Sequence, residues 1–321
     1  MQDVFGRAIG YLRLSVTKEC ESRCVYCRPA ESHGSAAEAL SAGEIESLVR
    51  HLVGKHGVRK VRLTGGEPTI RADLIEIVQR LGKIDGLEDL AMTTNGLTLA
   101  GQAKALKEAG LKRVNISLDS LDSEKYQRIT GVDGLGRVLR GIDAAVAAGL
   151  APVKLNTVVV RGENDHDVAD LLLFAVDQGL EIWFIELMPM GPLAGQWEQR
   201  YVPESEIRQR LGDVVTTWRP GAPGSHAARR YRVGLPYGRR GVVGFVTAMS
   251  CPFCDSCNRI RIAADGTYYP CLMDRPAGSI VGALRPVFEP DLLDRLLEKG
   301  LVGKEREHPR TGTAVMTHIG G

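Results

Sequence analysis

The sequence predicts an α/β protein built on an incomplete (βα)6 barrel of the TIM type, extended by a smaller carboxyl-terminal region. Three observations predict it. Six short runs rich in β-branched residues lie at 11–16, 58–63, 88–93, 112–118, 153–159 and 181–187. Longer segments of helical period separate them, which is the pattern of βα units and a parallel sheet. After residue 212 the texture changes to Pro- and Gly-rich turns, basic residues and short strand-like pieces.

Between the first two strands, Ser41 and Glu44 have the spacing of a capping box ahead of Ile45, Leu48 and Leu52, and Gly54 or Gly57 supplies the stop. Helical patterns follow over 73–81, 102–109, 135–148 and 165–178, and a short one over 205–211. The stretch from Arg219 through Ser225 and the basic residues after it reads as a loop or mobile cover. Runs at 259–263 and 267–270 flank Asp265-Gly266, a strong hairpin signal, and Cys271 follows the second run. The expected division is a barrel over 1–212 and a carboxyl-terminal region over 213–321.

The chain of 321 residues is long enough for one large barrel or two modest domains. With 41 Lys+Arg against 39 Asp+Glu the formal charge is only +2, so no broad field argues for nucleic acid or an anionic membrane as partner. No apolar run approaches the ~20 residues of a bilayer span, and the first residues have neither the basic nor the apolar section of a secretory signal. A cytoplasmic protein, monomer or homodimer, is the expectation.

The 7 cysteines fall into two groups, Cys20, Cys24 and Cys27 near the beginning and Cys251, Cys254, Cys257 and Cys271 near the end. Closely spaced thiols in a reducing compartment read as metal ligands before disulfides. Cys20, Cys24 and Cys27 have C-x3-C-x2-C spacing just past the first strand, at the carboxyl edge of a parallel barrel, where active sites of such barrels lie. Three thiolates leave one iron of a four-iron cluster open to a small molecule, whereas structural zinc wants four ligands. In the second group, Cys254, Cys257 and Cys271 form C-x2-C-x13-C, and the hairpin folds the third thiol back to the other two. Read from the residues alone, adding Cys251 makes a tetrahedral zinc site or a fully ligated cluster equally open readings.

The first motif, with Tyr26 before its last cysteine, resembles the radical S-adenosylmethionine (radical SAM) signature. Residues 253–261, Ala264-Asp-Gly, Pro270-Cys-Leu272, Phe5-Gly-Arg7, 162–165 and the terminal Gly320-Gly321 together resemble the GTP 3′,8-cyclase family, which begins molybdenum cofactor biosynthesis. The resemblance implies two [4Fe–4S] clusters, on Cys20, Cys24 and Cys27 and on Cys254, Cys257 and Cys271, with Cys251 outside the usual trio. It implies contacts to S-adenosylmethionine from Tyr26, from Gly66 in the Gly-Gly-Glu-Pro turn, from Ser117 and from Met188, which on its own would read as core. Arg13, Arg62, Thr93, Lys154, Arg259 and Arg261 would contact GTP; Arg259, Arg261 and the Gly320-Gly321 tail would also take part in catalysis. A triphosphate needs converging cations, and inward charge on barrel strands is costly without an anionic partner. Singly, such residues also read as surface cations.

The implied chemistry is cleavage of S-adenosylmethionine, hydrogen removal from C3′ of GTP and attack on C8 of guanine. An electron donor such as flavodoxin or ferredoxin and a downstream cyclic pyranopterin monophosphate synthase are the implied partners. Besides Cys251, a second position departs from the family, and it matters more. Trp183 stands where a basic residue usually opens the motif of the sixth strand, which leaves open another nucleotide substrate, or an outward-packed Trp183 with Arg200, Arg229 or Arg230 compensating. A peptide-modifying radical SAM enzyme and a zinc-stabilised binding protein are the rival readings.

Overall fold

The computed structural model describes residues 1–27, 39–221 and 228–308. The barrel begins with β1 (Tyr11–Ser15), α1 (Ala42–Gly54), β2 (Lys60–Thr64), α2 (Leu74–Gly82), β3 (Asp89–Thr94) and α3 (Ala103–Glu108). It continues with β4 (Arg113–Ser117), α4 (Ser123–Thr130), α5 (Leu135–Ala147), β5 (Lys154–Val159), α6 (Val168–Asp177) and β6 (Glu181–Glu186). Then come α7 (Trp197–Arg200), α8 (Glu204–Arg210), β7 (Thr217–Pro220), β8 (Arg229–Gly234), β9 (Arg240–Val246), β10 (Arg259–Ile262), β11 (Thr267–Tyr269), β12 (Gly278–Ser279) and α9 (Pro290–Val302).

All twelve strands join one sheet in the order β12-β11-β10-β1-β2-β3-β4-β5-β6-β9-β8-β7. The six expected strands are there, each within a residue or two of its expected bounds. The stretch read as a cover is different: β9 pairs in parallel with β6, aligning Trp183 with Gly244. At the other edge β10 pairs in parallel with β1, aligning Arg13 with Arg261. The parallel arc is therefore eight strands wide. Its outer strands β12 and β7 are not paired to each other among the described residues, so the barrel stays open.

The strands alternate, and the alternation places the site. Leu12, Leu14, Val61, Leu63, Val114, Ile116, Leu155, Ile182 and Phe184 are fully buried. They pack in one core with helix residues such as Leu48, Leu52, Ile77, Leu81, Ile142 and Leu171. Each such side chain is worth ~1.5–3 kcal/mol of burial. The intervening residues face inward and are largely polar, among them Arg13, Arg62, Asn115, Ser117, Lys154 and Asn156. A parallel sheet usually reads apolar on both faces; here the inner face lines a cavity.

Local chemistry fixes the ends. Ser41 and Glu44 form the expected reciprocal capping box, and α1 stops at Gly54. The polar helix α4, absent from the sequence reading, is capped by Asp122, whose carboxylate accepts from Lys125 N at 2.9 Å. It ends at Gly131, whose φ of 73° is left-handed. Asn164 accepts from Val160 N at 2.8 Å and donates to Asp119 O at 2.8 Å and Val158 O at 3.0 Å. The 162–165 motif thus ties the ends of β4 and β5 together.

Candidate active site

The inner face encloses a cavity of about 390 Å³. Cys20, Cys24 and Cys27 line it from the loop after β1, and Cys254, Cys257 and Cys271 line it from around the β10–β11 hairpin. The same cavity is lined by six cations, Arg13, Arg62, Arg113, Lys154, Arg259 and Arg261. Cys251 is exposed and does not line the cavity; the other six cysteines are half-buried and do. The Gly320-Gly321 tail lies outside the described residues; His308, the last described one, lines the cavity.

The first cysteine loop is held by backbone. Arg23 N donates to Thr130 O at 2.8 Å and Val25 N to Ile129 O at 2.9 Å, which pins the loop to the end of α4. From the other side Gly66 N donates to Thr17 O and Glu67 N to Glu19 O, both at 2.7 Å. A Cβ on Gly66 would fall 2.0 Å from Glu19 O. Gly66 lines the cavity, yet its lack of a side chain serves the approach of the cysteine loop. Glu67 is buried and accepts from Thr69 N, Thr69 Oγ1, Thr94 Oγ1 and Asn95 N at 2.6–3.0 Å, joining the turns after β2 and β3.

Tyr26 Oη donates to Asp119 Oδ2 at 2.5 Å. Asp119 also accepts from Val158 N at 2.9 Å, and burial raises its carboxyl to about 6. Ser117 and Met188 line the same end. Met188 packs beside Met190 and Met273. Burial, then repulsion from Cys27, Asp119 and Cys20, pushes the Cys24 thiol well up. Three thiolates cannot share this pocket unless a cation sits among them, so the donor set fits a metal cluster.

The second group is folded as expected. Arg261 pairs with Tyr269 across the antiparallel hairpin, and Gly266 takes a left-handed φ of 76°. Two buried cations bear on it. Arg7 donates to Cys254 O at 2.8 Å. Lys304 approaches Cys257 Sγ at 3.7 Å and is the strongest influence lowering that thiol, against burial which raises it.

The cation ring is under strain of like charge. Asp89 pairs with Arg113 in a bidentate fork at 2.9 and 2.6 Å. Glu181 pairs with Lys154 at 3.0 Å and with Arg230 at 2.6 Å. Among the described residues Arg62 reaches only Thr93 Oγ1, at 3.4 Å, and its Nε is buried without a partner. Burial and then Arg261 hold Arg13 well below the usual range. Burial and then Arg259 bring Arg261 down to about 10. Against burial, Arg62, Arg13, Arg259 and Arg113 draw the Tyr11 phenol down to about 8. An anion entering here relieves all of these.

Trp183 faces the cavity, not outward, and Lys154 Nζ sits 4.3 Å over its ring. Arg200, Arg229 and Arg230 are paired with Glu163, Glu204 and Glu181. Lys60, on the same inward face as Arg62, does not line the cavity. The sequence reading missed Tyr11, Arg113, Asn115, Asn156, Asp119 and Lys304. The first four share the inward alternation of noted neighbours; Lys304 has no such signal.

Comparison with known proteins decides between the readings. The family description Radical SAM superfamily matches residues 14–175, and Molybdenum Cofactor Synthesis C matches 180–309. The GTP 3′,8-cyclase of Pelotomaculum thermopropionicum is 46% identical over 280 residues, 85% of this chain and 84% of that one. That of Moorella thermoacetica is 42% identical over 328 residues, covering 100% of both.

The chain belongs to the GTP 3′,8-cyclase family.

Among solved structures, Streptococcus suis SuiB bound to precursor peptide SuiA matches with TM-score 0.63 at 16% identity, over 93% of this chain and 66% of that one. Native anSMEcpe with bound AdoMet matches with TM-score 0.61 at 16% identity, over 91% and 82%. These likenesses show the fold. GTP 3′,8-cyclases carry two [4Fe–4S] clusters and use S-adenosylmethionine. Two trios of thiols lining one cationic cavity fit that complement, and Cys251 does not line it.

Proposed function

We propose that this chain converts GTP to (8S)-3′,8-cyclo-7,8-dihydroguanosine 5′-triphosphate for molybdenum cofactor biosynthesis, using one cluster on Cys20, Cys24 and Cys27 and another on Cys254, Cys257 and Cys271. The observation that carries this is that both trios and six cations line one cavity. When bound, the clusters and S-adenosylmethionine supply the radical chemistry. The protein's own groups bind, orient and exclude water. Tyr26, Gly66, Ser117 and Met188 border the cosubstrate beside the first trio. Arg13, Arg62, Lys154, Arg259, Arg261 and the Thr93 hydroxyl hold the nucleotide, the guanidinium forks suiting phosphate oxygens. Gly320 and Gly321, outside the described residues, act with Arg259 and Arg261 in the closing phase. Flavodoxin or ferredoxin delivers the electron, a cyclic pyranopterin monophosphate synthase consumes the product, and the setting is the cytoplasm.

No helix among the described residues is long and apolar enough to cross a membrane. Anaerobic reconstitution followed by turnover with GTP tests the proposal: about eight irons per chain, release of 5′-deoxyadenosine and the cyclised nucleotide are expected. Zinc without iron would overturn it. Because Trp183 lines the cavity in place of a cation, the same assay with ATP and GMP tests a second reading, a cyclase for another nucleotide.

A further inference from the structure

We propose that Lys304 is the internal counter-ion of the second cysteine trio, a positioning residue that clamps the hairpin and eases one-electron reduction of the cluster held there. The inference rests on the two-cluster reading above. Lys304 follows α9 directly and is 3% exposed. Its ammonium donates to Arg259 O, at the start of β10, at 2.7 Å, and to Pro270 O, just past β11, at 2.6 Å. The third contact is Cys257 Sγ at 3.7 Å. Its three N–H donors therefore have three acceptors, one at the start of β10, one just past β11 and one on the Cys257 sulfur.

No carboxylate pairs with Lys304 among the described residues. A buried ammonium is costly unless an anion faces it; the negative groups that favour it are first Cys257 and Cys271 and then Asp3, with the Arg7 guanidinium opposing. Reduction adds a negative charge to a site already negative through its thiolates, so a fixed cation in a dry setting favours the reduced form. The clamp has a second jaw. Arg7 donates to Glu305 O at 2.8 Å, Arg306 O at 3.0 Å and Cys254 O at 2.8 Å, so residues 304–306 are bonded to both ends of the trio.

The test is redox titration of reconstituted full-length protein, with iron content measured alongside. The second cluster's wave is the one missing from Cys257→Ala. Lys304→Gln, which keeps donors and loses charge, and Lys304→Met, which loses both, are expected to move that wave to more negative potential and leave the other in place, whereas Lys304→Arg holds it near wild type. Loss of second-cluster iron in Gln and Met with retention in Arg also supports the counter-ion. An unmoved wave in Lys304→Gln, or loss of iron in Gln and Arg alike, overturns it. Absence of any Cys257-dependent wave in the wild type would instead sink the two-cluster reading.

Discussion

Trp183 rests on Gly244, where an added Cβ would lie 2.2 Å from the indole Cε3. The bare backbone of β9 is what lets a large aromatic lie against the cavity wall and present its face to Lys154. Gly244→Val should displace the indole and the ammonium together. The expected result is a roughly tenfold rise in KM for GTP, about 1.4 kcal/mol, at unchanged iron content. An unchanged KM would show that the wall is not read by the nucleotide.

Arg62, on the cavity wall, keeps a buried Nε without a partner among the described residues. Arg62→Met should weaken GTP by about 1.5–3 kcal/mol, the range for charged hydrogen bonds, with little loss of thermal stability. Binding measured by calorimetry at two salt concentrations checks it, and a variant that binds GTP as tightly as the wild type refutes it.

Gly66 admits no Cβ against Glu19 O. Gly66→Ala is expected to dislodge the loop bearing Cys20, Cys24 and Cys27 while sparing the hairpin. Iron per chain should then fall by about half, from about eight to four, with S-adenosylmethionine cleavage abolished. Full iron would mean that the turn is more compliant than its geometry implies.

Asp294 joins α9 to α1, accepting from Lys55 Nζ at 2.5 Å with His51 Nε2 at 2.6 Å and His56 Nε2 at 2.5 Å. Burial raises its carboxyl, but these three partners outweigh burial and hold it well below the usual range. A depressed carboxyl stabilises above its unfolded value of about 3.9 and loses that contribution as pH falls through the folded one. Asp294→Asn should lower stability by ~1–3 kcal/mol at pH 7 and flatten the acid limb of the unfolding curve. Urea melts between pH 3 and 7 decide the matter; parallel curves would count against it.

The six barrel strands were legible because each is a β-branched run between helical periods, and the first cysteine trio because its spacing is short; the second trio was separated from Cys251 only by the family resemblance. What resisted reading obeyed longer-range causes. β9 carries Gly241 and Gly244, which weaken a strand signal that pairing with β6 and β8 restores. α4 has a polar sequence and is secured by its caps and by Tyr126, buried beneath it. Arg113 lacked a motif, though its place two residues before Asn115 marks it as inward. Lys304 is visible only in three dimensions, since its partners are 34 to 47 residues away.

The alternation along β1 to β6 has a price in resilience. With the interior given over to charge and reactants, a single dry layer between strands and helices must supply nearly all the cohesion. A truncation such as Leu63→Ala removes part of that layer with no second apolar face to compensate, and is expected to cost ~3–5 kcal/mol. A ligand-filled centre would return some of that cohesion, so an emptied molecule should be the softer one to heat and protease.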